Sequence, residues 1–473
     1  MNFSRRDFLA AAGFSVAAVC AGCAEQLIGA GTGKKKPNIL FIAVDDLRPE
    51  IASYGRKHMN TPNIDRLAKQ GVVFARNYCN VPTCGASRAS LLSGMRPKDG
   101  RFFNFKTYLQ EEIPDAITLP EHFRNNGYYT VSNGKVFHHQ DDCPESWSEP
   151  DWRPVDEKYL LKENVERRNK NKNKRGPAYE CADVADFDYP DGKMIQKSIK
   201  DLRQLSKKDE PFFLAAGIVK PHLPFNSPKK YWDMYKRDQI EPADNPFVPK
   251  GAPSVSFTNW GELRNYDGMP KKGPLDEETT LTMLHAYYAS VSYADALVGM
   301  LLDELEDLGI ADDTIVVLWG DHGWNLGEHS FWSKHVNYET SLHAPLLIKA
   351  PGFKRGVKVN SLSEFIDIFP TLCDLAGFEK PSQLQGQSLV GVMKDPKAAG
   401  KKAVFSRMRG GDSVKTDRYR YTEWINEENK RLAHMLYDHQ KDPDENVNVV
   451  DLTEYKDVVA EHAKMIREVR KVR

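Results

Sequence analysis

Four runs of apolar residues recur along the chain: NILFIAV (Asn38–Val44), YYTVSNG (Tyr128–Gly134), PFFLAAGIV (Pro211–Val219) and TIVVLWG (Thr314–Gly320). They do not alternate apolar with polar, so as strands they bury both faces, the pattern of a parallel sheet covered on each side. Between them the apolar period lengthens to that of a helix. Thr61-Pro62 opens one, Ile64, Leu67 and Ala68 share its inner face, and Gly71 closes it. A longer one runs from about Asp276 to Leu308, with Leu284, Tyr287, Tyr288, Val291 and Ala294 inward and Gly309 at its end. This alternation predicts an α/β fold: a large mixed, mostly parallel sheet sandwiched by helices.

Past about Gly400 the texture changes. AVFSRM, RYRYTEWI and HMLYDHQKDPDENVNVV read as short antiparallel strands, then a turn and a closing helix. The expected organisation is residues 1–35 as a leader and linker, 36–400 as the main domain, and 401–473 as a smaller C-terminal antiparallel-sheet subdomain. The basic stretch RRNKNKNKR (Arg167–Arg175) reads as a solvated loop, with a polyanion-binding rim as the alternative.

The leader carries Arg5 and Arg6, a mild apolar stretch from Phe8 to about Ala21, and then small residues, which is the layout of an export signal. Its SRRDFL core resembles a twin-arginine signal; an ordinary secretory signal is the alternative. Cys23 after Ala21-Gly22 is a candidate for lipidation, although Cys20 stands where lipoprotein signals carry Leu. The expected location is therefore exported, periplasmic or lipoprotein-anchored. Lys+Arg and Asp+Glu balance at 66 each, so no global field points to nucleic acid. The remaining cysteines, Cys79, Cys84, Cys143, Cys181 and Cys373, are odd in number and scattered, which is no disulfide framework.

Each apolar run ends in reactive residues: Asp45 and Asp46; Lys135 and His138; Lys220 and His222; Asp321 and His322. Ligands of open parallel sheets bind beyond the carboxyl ends of the strands, so the four sets can meet in one crevice. Asp45, Asp46, Asp321 and His322 suit a divalent cation, with oxygen donors favouring Ca²⁺ or Mg²⁺ and the imidazole leaving Mn²⁺ or Zn²⁺ open. Set against that, an Asp-Asp pair before Leu-Arg-Pro is by itself a turn. Lys135, Lys220, Lys334 and Arg88 are candidate clamps for a tetrahedral oxyanion. His138 and His222 are acid–base candidates; His343, before Ala-Pro, reads equally as a structural histidine.

Cys84 lies among these in NVPTCGASRASLLSGMRP, at the start of a short helical pattern. CGASRASLLSG resembles the sulfatase signature, in which the cysteine is oxidised to Cα-formylglycine; Ala86 stands where many members carry Pro. NILFIAVDDLRPEIASYG, TPNIDRLAKQGVVFARNY, NGKVFHH, PFFLAAGIVKPHLPF, GDHGWNLGEHSFWSKH and KTDRYRYTEW resemble the iduronate-2-sulfatase branch. The resemblance implies an alkaline-phosphatase-like sheet and a formylglycine-generating or radical maturase as partner. It implies Ca²⁺ held by Asp45, Asp46, Asp321, His322 and residue 84. It further implies that a hydrated aldehyde at residue 84, aided by Arg88, attacks sulfur, and that Lys135, His222 and Lys334 receive the sulfate charge. His222 or Lys334 then protonates the sugar oxygen, and His138 accepts the proton that lets the aldehyde re-form and expel sulfate.

The branch acts on terminal 2-O-sulfated uronic acids, and its bacterial relatives also on algal polysaccharides. Lys106, Tyr108 and Trp324 are the candidate sugar contacts, but FFNFKTYLQ departs from the branch, with Lys106 in place of a small amide and Asn104 in place of Asp. The expected substrate is a sulfated oligosaccharide. The alternatives are a phosphatase or phosphonate monoester hydrolase, or a non-catalytic polysaccharide-binding lipoprotein. Oligomeric state is not encoded in any feature of the sequence.

Overall fold

The computed structural model describes residues 36–258 and 261–472, so the leader lies outside the described residues. Thirteen strands are seen among them: β1 (Asn38–Val44), β2 (Val72–Tyr78), β3 (Tyr129–Gly134), β4 (Tyr179–Ala182), β5 (Phe212–Ile218), β6 (Phe225–Pro228), β7 (Thr314–Gly320), β8 (Leu346–Lys349), β9 (Val357–Glu364), β10 (Val404–Met408), β11 (Gly411–Lys415), β12 (Tyr419–Ile425) and β13 (Arg431–Asp438). Seven form the main sheet in the order β3-β5-β1-β7-β8-β2-β9. All pairs are parallel except those of β8, which runs antiparallel to both β7 and β2. The four apolar runs are thus adjacent, with β1 between β5 and β7.

Their composition follows from two cores. Along β1, Leu40, Ile42 and Val44 enter one hydrophobic cluster while Ile39, Phe41 and Ala43 enter the other. The first cluster is closed by three helices: α1 (Pro62–Gln70), α3 (Pro190–Leu205) and the 31-residue α4 (Glu277–Asp307), through Ile64, Met194, Tyr287 and Leu297 among others. The second is closed by α2 (Cys84–Ser93) and α5 (Ile368–Ala376), through Ala89, Leu92, Phe369 and Leu372. Burying each such side chain contributes about 1.5–3 kcal/mol. The amides of Asn63 and Ile64 at the start of α1 donate to Asp295 of α4, at 3.1 and 2.7 Å, which ties two of the covering helices together.

The sheet holds three strands beyond the four apolar runs. β8 has only four residues, and β2 and β9 carry partly exposed positions, so none of the three reads as a long buried run. The basic stretch also differs from the expected loop. A helix over Lys162–Lys170 covers its first half, where Arg167 pairs with Asp267 at 2.7 Å and Arg168 with Glu157. Local acids thus meet part of the charge.

β10 to β13 form an antiparallel sheet closed by α6 (Lys456–Lys471) over Val414, Tyr421, Leu436, Ala463 and Ile466. From Asn38 onward the chain is one compact unit that includes this smaller sheet. Among the described residues no helix is long and apolar enough to cross a membrane.

Candidate active site

The parallel ladder runs one residue past the strands and fixes the backbone where the polar residues begin. The amide of Asp45 donates to Ile218 O at 3.0 Å, that of Asp321 to Val44 O at 3.2 Å, and that of Lys135 to Gly217 O at 2.9 Å. Glycine is required at the last of these. A Cβ on Gly217 would lie 2.2 Å from the Lys135 carbonyl carbon, and Gly134 before it sits at φ +76°. Asp46 takes the left-handed conformation (φ 58°), with its amide on Asp321 Oδ1 at 3.0 Å and its carbonyl accepting from Tyr287 OH at 2.8 Å. A non-glycine residue there costs energy, and the bonds on both sides of it hold the turn.

Helix α2 begins at Cys84 itself, and all ten of its residues are buried. Arg88, one turn on, is wholly buried. Its Nε donates to Asp321 Oδ2 at 3.0 Å, its Nη2 lies 3.4 Å from Asp45 Oδ1, and its Nη1 donates to the carbonyls of Lys135 and Val136. Lys135 pairs with the other Asp45 oxygen. Burial pushes the Asp45 carboxyl up, but Lys135, His222 and Arg88 outweigh it and hold it well below the usual range. Burial drives Asp46 up to about 7 even though Lys334 Nζ lies 2.8 and 3.0 Å from its oxygens. Burial, then Asp45, pushes the Cys84 thiol well above its ordinary value. The thiol therefore stays protonated, the opposite of an activated cysteine nucleophile.

His322 supplies the argument for a cation. Its Nδ1 lies 2.9 Å from Gly323 O, which can only accept, so Nδ1 carries a proton and Nε2 is the ring nitrogen that can offer a lone pair. Nε2 faces Cys84 Sγ at 3.3 Å, Asp46 Oδ1 at 3.4 Å and Asp321 Oδ1 at 3.5 Å. Donor atoms of Asp45, Cys84, Asp321 and His322 all lie within 4.8 Å of one another, and Asp46, Cys84 and His222 form an overlapping group. Converging buried lone pairs of this kind fit a divalent cation, and three carboxylates make it a hard one.

Around this cluster stand the other candidates. His222 Nδ1 is 2.6 Å from Leu223 O, which leaves Nε2 turned to the site, 3.9 Å from Asp46 Oδ2. Burial, with Lys334, lowers its pKa. His138 is held through its own backbone, since Arg153 donates to the carbonyls of Phe137 and His138 at 2.9 and 3.1 Å. Its buried Nδ1 has no partner, and burial with Lys135 pushes its pKa down to about 2. The ring is therefore neutral.

The structure relocates three of the candidates. Lys220 is no oxyanion clamp: its ammonium donates to the carbonyls of His222 and Pro224 at 2.8 and 2.7 Å and shapes the loop that carries His222. Trp324 is no exposed sugar contact. It is fully buried against Phe225, and Lys334 Nζ lies over its ring at 4.7 Å, so it supports that lysine from beneath. His343 is structural, with Nε2 on Ala75 O at 2.9 Å. Lys106 is exposed, on a loop whose Phe105 carbonyl would be 2.7 Å from a Cβ at Gly85, so the loop crosses directly beside Cys84. Tyr108 stacks on His139 with centroids 3.9 Å apart and bonds Asp141 at 3.2 Å, at the rim.

One residue of the site escaped the sequence reading. Glu262 lies 3.0 Å from His222 Nε2 and 3.0 Å from Lys334 Nζ, in a stretch without apolar periodicity that carries no motif.

Comparison with known proteins identifies the family and the fold. The family pattern described as Sulfatase matches residues 37–378, and that described as N-sulphoglucosamine sulphohydrolase, C-terminal, matches residues 327–472. Human iduronate 2-sulfatase is 35% identical over 391 residues, which cover 73% of this chain and 70% of that protein. A sulfatase of Formosa agariphila is 30% identical over 451 residues, 89% of this chain and 84% of its own. Among solved structures, a protein in complex with its substrate D-glucosamine-2-N,6-O-disulfate superposes with a TM-score of 0.74 at 23% identity, over 92% of this chain and 98% of that one. The phosphonate monoester hydrolase of Agrobacterium radiobacter shares the fold with a TM-score of 0.75 at 22% identity, over 92% and 96%.

Proposed function

Because the chain belongs to the sulfatase family, we propose that it hydrolyses an O-sulfate ester of a glycan, with residue 84 acting as formylglycine and Ca²⁺ held among Asp45, Asp46, Asp321, His322 and residue 84. The observation that carries this reading is the position of Cys84. It is buried at the focus of three carboxylates and three cations, where a protonated thiol is no nucleophile and a hydrated aldehyde would have a cation site and an anion cradle around it. The formylglycine, as its hydrate, supplies a hydroxyl nucleophile and a second hydroxyl. Ca²⁺, when bound, supplies the charge that keeps the attacking oxygen ionised.

The chain's own residues do the rest. Arg88 holds Asp45 and Asp321 in place and lends positive charge beside residue 84. Lys135 and Lys334 are the donors placed for the sulfate oxygens, where charge builds during transfer. His222 turns Nε2 to the site and, as the imidazolium, is the group from which a proton would reach the leaving sugar oxygen. His138, whose ring is neutral, is the candidate acceptor for the proton that a hydroxyl on residue 84 must lose, and its low pKa would return that proton to solvent at once. Tyr108, Lys106 and the exposed Phe103 and Phe105 form the rim where a sugar would lie.

The likeness to iduronate 2-sulfatase favours a 2-O-sulfated uronic acid; the Lys106 departure keeps algal sulfated polysaccharides in the set. Maturation requires a formylglycine-generating or radical maturase, and the leader favours export. The test pairs two measurements on protein co-produced with a maturase. Mass analysis should find the peptide containing residue 84 converted from thiol to aldehyde, and a panel of defined glycosaminoglycan and algal oligosaccharides should reveal the sulfate removed. Full activity with an intact Cys84 thiol, or turnover of phosphate esters in preference to sulfates, would refute the proposal.

A further inference from the structure

The groups placed to receive a sulfate already hold an anion. Glu262 presents one carboxylate oxygen to His222 Nε2 at 3.0 Å and to Lys334 Nζ at 3.2 Å, and the other to Lys334 Nζ at 3.0 Å and His335 Nε2 at 3.8 Å. The side chain is 11% exposed. Burial pushes its carboxyl up, but Lys334, His222 and His335 more than reverse this and hold it ionised.

Structural charge balance does not explain the contact. Lys334 already has a carboxylate partner in Asp46 at 2.8 Å, and His222 needs no acid to orient it, because its Nδ1 is anchored on Leu223 O. Glu262 thus adds a second carboxylate to a lysine that has one, at the two nitrogens with most to gain from a sulfate. Every ion pair its carboxylate makes is with a residue of this crevice. It also lies just before a short turn (Leu263–Asn265) in an irregular stretch, so no strand or long helix fixes its direction.

Resting on the sulfatase reading, we propose that Glu262 is a resident counter-anion: its carboxylate fills the sulfate cradle between His222 and Lys334 and leaves when a substrate sulfate enters. A small free anion would have to displace it unaided, whereas a sulfated sugar brings further contacts at the rim. Glu262 would therefore weaken binding of inorganic sulfate and of substrate by the same factor, a cost that the rim contacts of a sulfated sugar offset and a free sulfate does not, so that product is held only weakly.

The test compares wild type with Glu262→Gln, and with Glu262→Ala as a second variant that keeps no polar group. Thermal unfolding of the unconverted protein is followed in Ca²⁺ with increasing sodium sulfate, against sodium chloride at matched ionic strength. Losing one charged contact at a buried cradle corresponds to about tenfold in affinity. The sulfate concentration that gives a fixed stabilisation over the chloride control should therefore fall about tenfold in both variants. In converted enzyme, inhibition by sulfate should tighten by a similar factor, and kcat/KM for a small aryl sulfate should rise. Unchanged or weaker sulfate binding in both variants overturns the proposal, as does a fall in kcat at constant KM, which would make Glu262 a catalytic group. The unfolding measurement needs no turnover. Wild type that hydrolyses no sulfate ester therefore refutes the sulfatase reading, while the sulfate titration still decides on Glu262.

Discussion

Replacing Arg88 by Met is the most informative single change, because the guanidinium carries two burdens. It is 0% exposed, bridges Asp321 at 3.0 Å and Asp45 at 3.4 Å, and occupies the carbonyls of Lys135 and Val136. Asp45 would keep Lys135, but Asp321 would keep only the Asp46 amide and would be left as a buried charge without a cation. Removing one partner of a buried pair costs about 3–5 kcal/mol, a large part of the roughly 5–15 kcal/mol that holds most domains folded. If the same carboxylates bind Ca²⁺, the ion should recover part of that loss, so Ca²⁺ should stabilise Arg88→Met more than wild type. Lysine should not substitute, since a point charge cannot fork between two carboxylates and two carbonyls. Urea unfolding of the four samples, each variant with Ca²⁺ and with chelator, measures both quantities through the midpoint at constant slope. A variant within about 1 kcal/mol of wild type in chelator would show that Arg88 is not the charge that holds this cluster, and equal Ca²⁺ stabilisation in the two proteins would remove the link to the metal.

Three further outcomes are expected. By NMR of protein carrying labelled histidine, the His138 ring should stay neutral from pH 7 down to pH 4, in line with a pKa near 2; protonation within that span would show that burial and Lys135 do not govern its titration. Gly217→Ala should drive a methyl into the Lys135 carbonyl and lower kcat/KM of converted enzyme at least tenfold, about 1.4 kcal/mol; unaltered kinetics would mean the β3–β5 edge yields without moving Lys135. The third concerns acid stability. Burial pushes Glu364 up, but Arg96 and Lys401 outweigh it and bring its pKa from 4.5 down to about 2. A depressed carboxyl stabilises the fold fully above pH 4.5 and loses that stabilisation, about 3 kcal/mol, as pH falls toward 2. Arg96→Gln should therefore flatten the rise of stability between pH 2 and 4.5, and an unchanged slope would assign that limb to other groups.

The physical reasons for what was legible in the sequence differ from residue to residue. β1, β3, β5 and β7 announced themselves because strands feeding two cores are apolar on both faces, and their ends carried Asp45, Lys135, His222 and Asp321 into view. β8 has only the four residues Leu346–Lys349, too short for any period to register, and its antiparallel direction depends on the path between distant segments. Trp324 stands two residues from His322, yet its side chain turns into the core beneath Lys334, a direction that adjacency in sequence does not convey. Glu262 meets Lys334 across 72 residues of chain, and nothing local marks one acid in an irregular stretch as the partner of a distant lysine.

The complete burial of α2 sets a deadline for chemistry on this chain. Cys84, Ser87 and Arg88 have essentially no surface once β1 and β7 close around them, so under the proposed maturation an enzyme that converts Cys84 would have to act before this part of the chain folds. From Arg88 to Lys334 roughly 250 residues remain to be synthesised, a window on the order of 10–50 s at about 5–20 residues per second. On that proposal, whatever fraction missed the window would fold around an unconverted thiol. The specific activity of a preparation would then record a race between translation and oxidation, and slower synthesis of the segment after α2 would raise the yield of active molecules without changing a single amino acid.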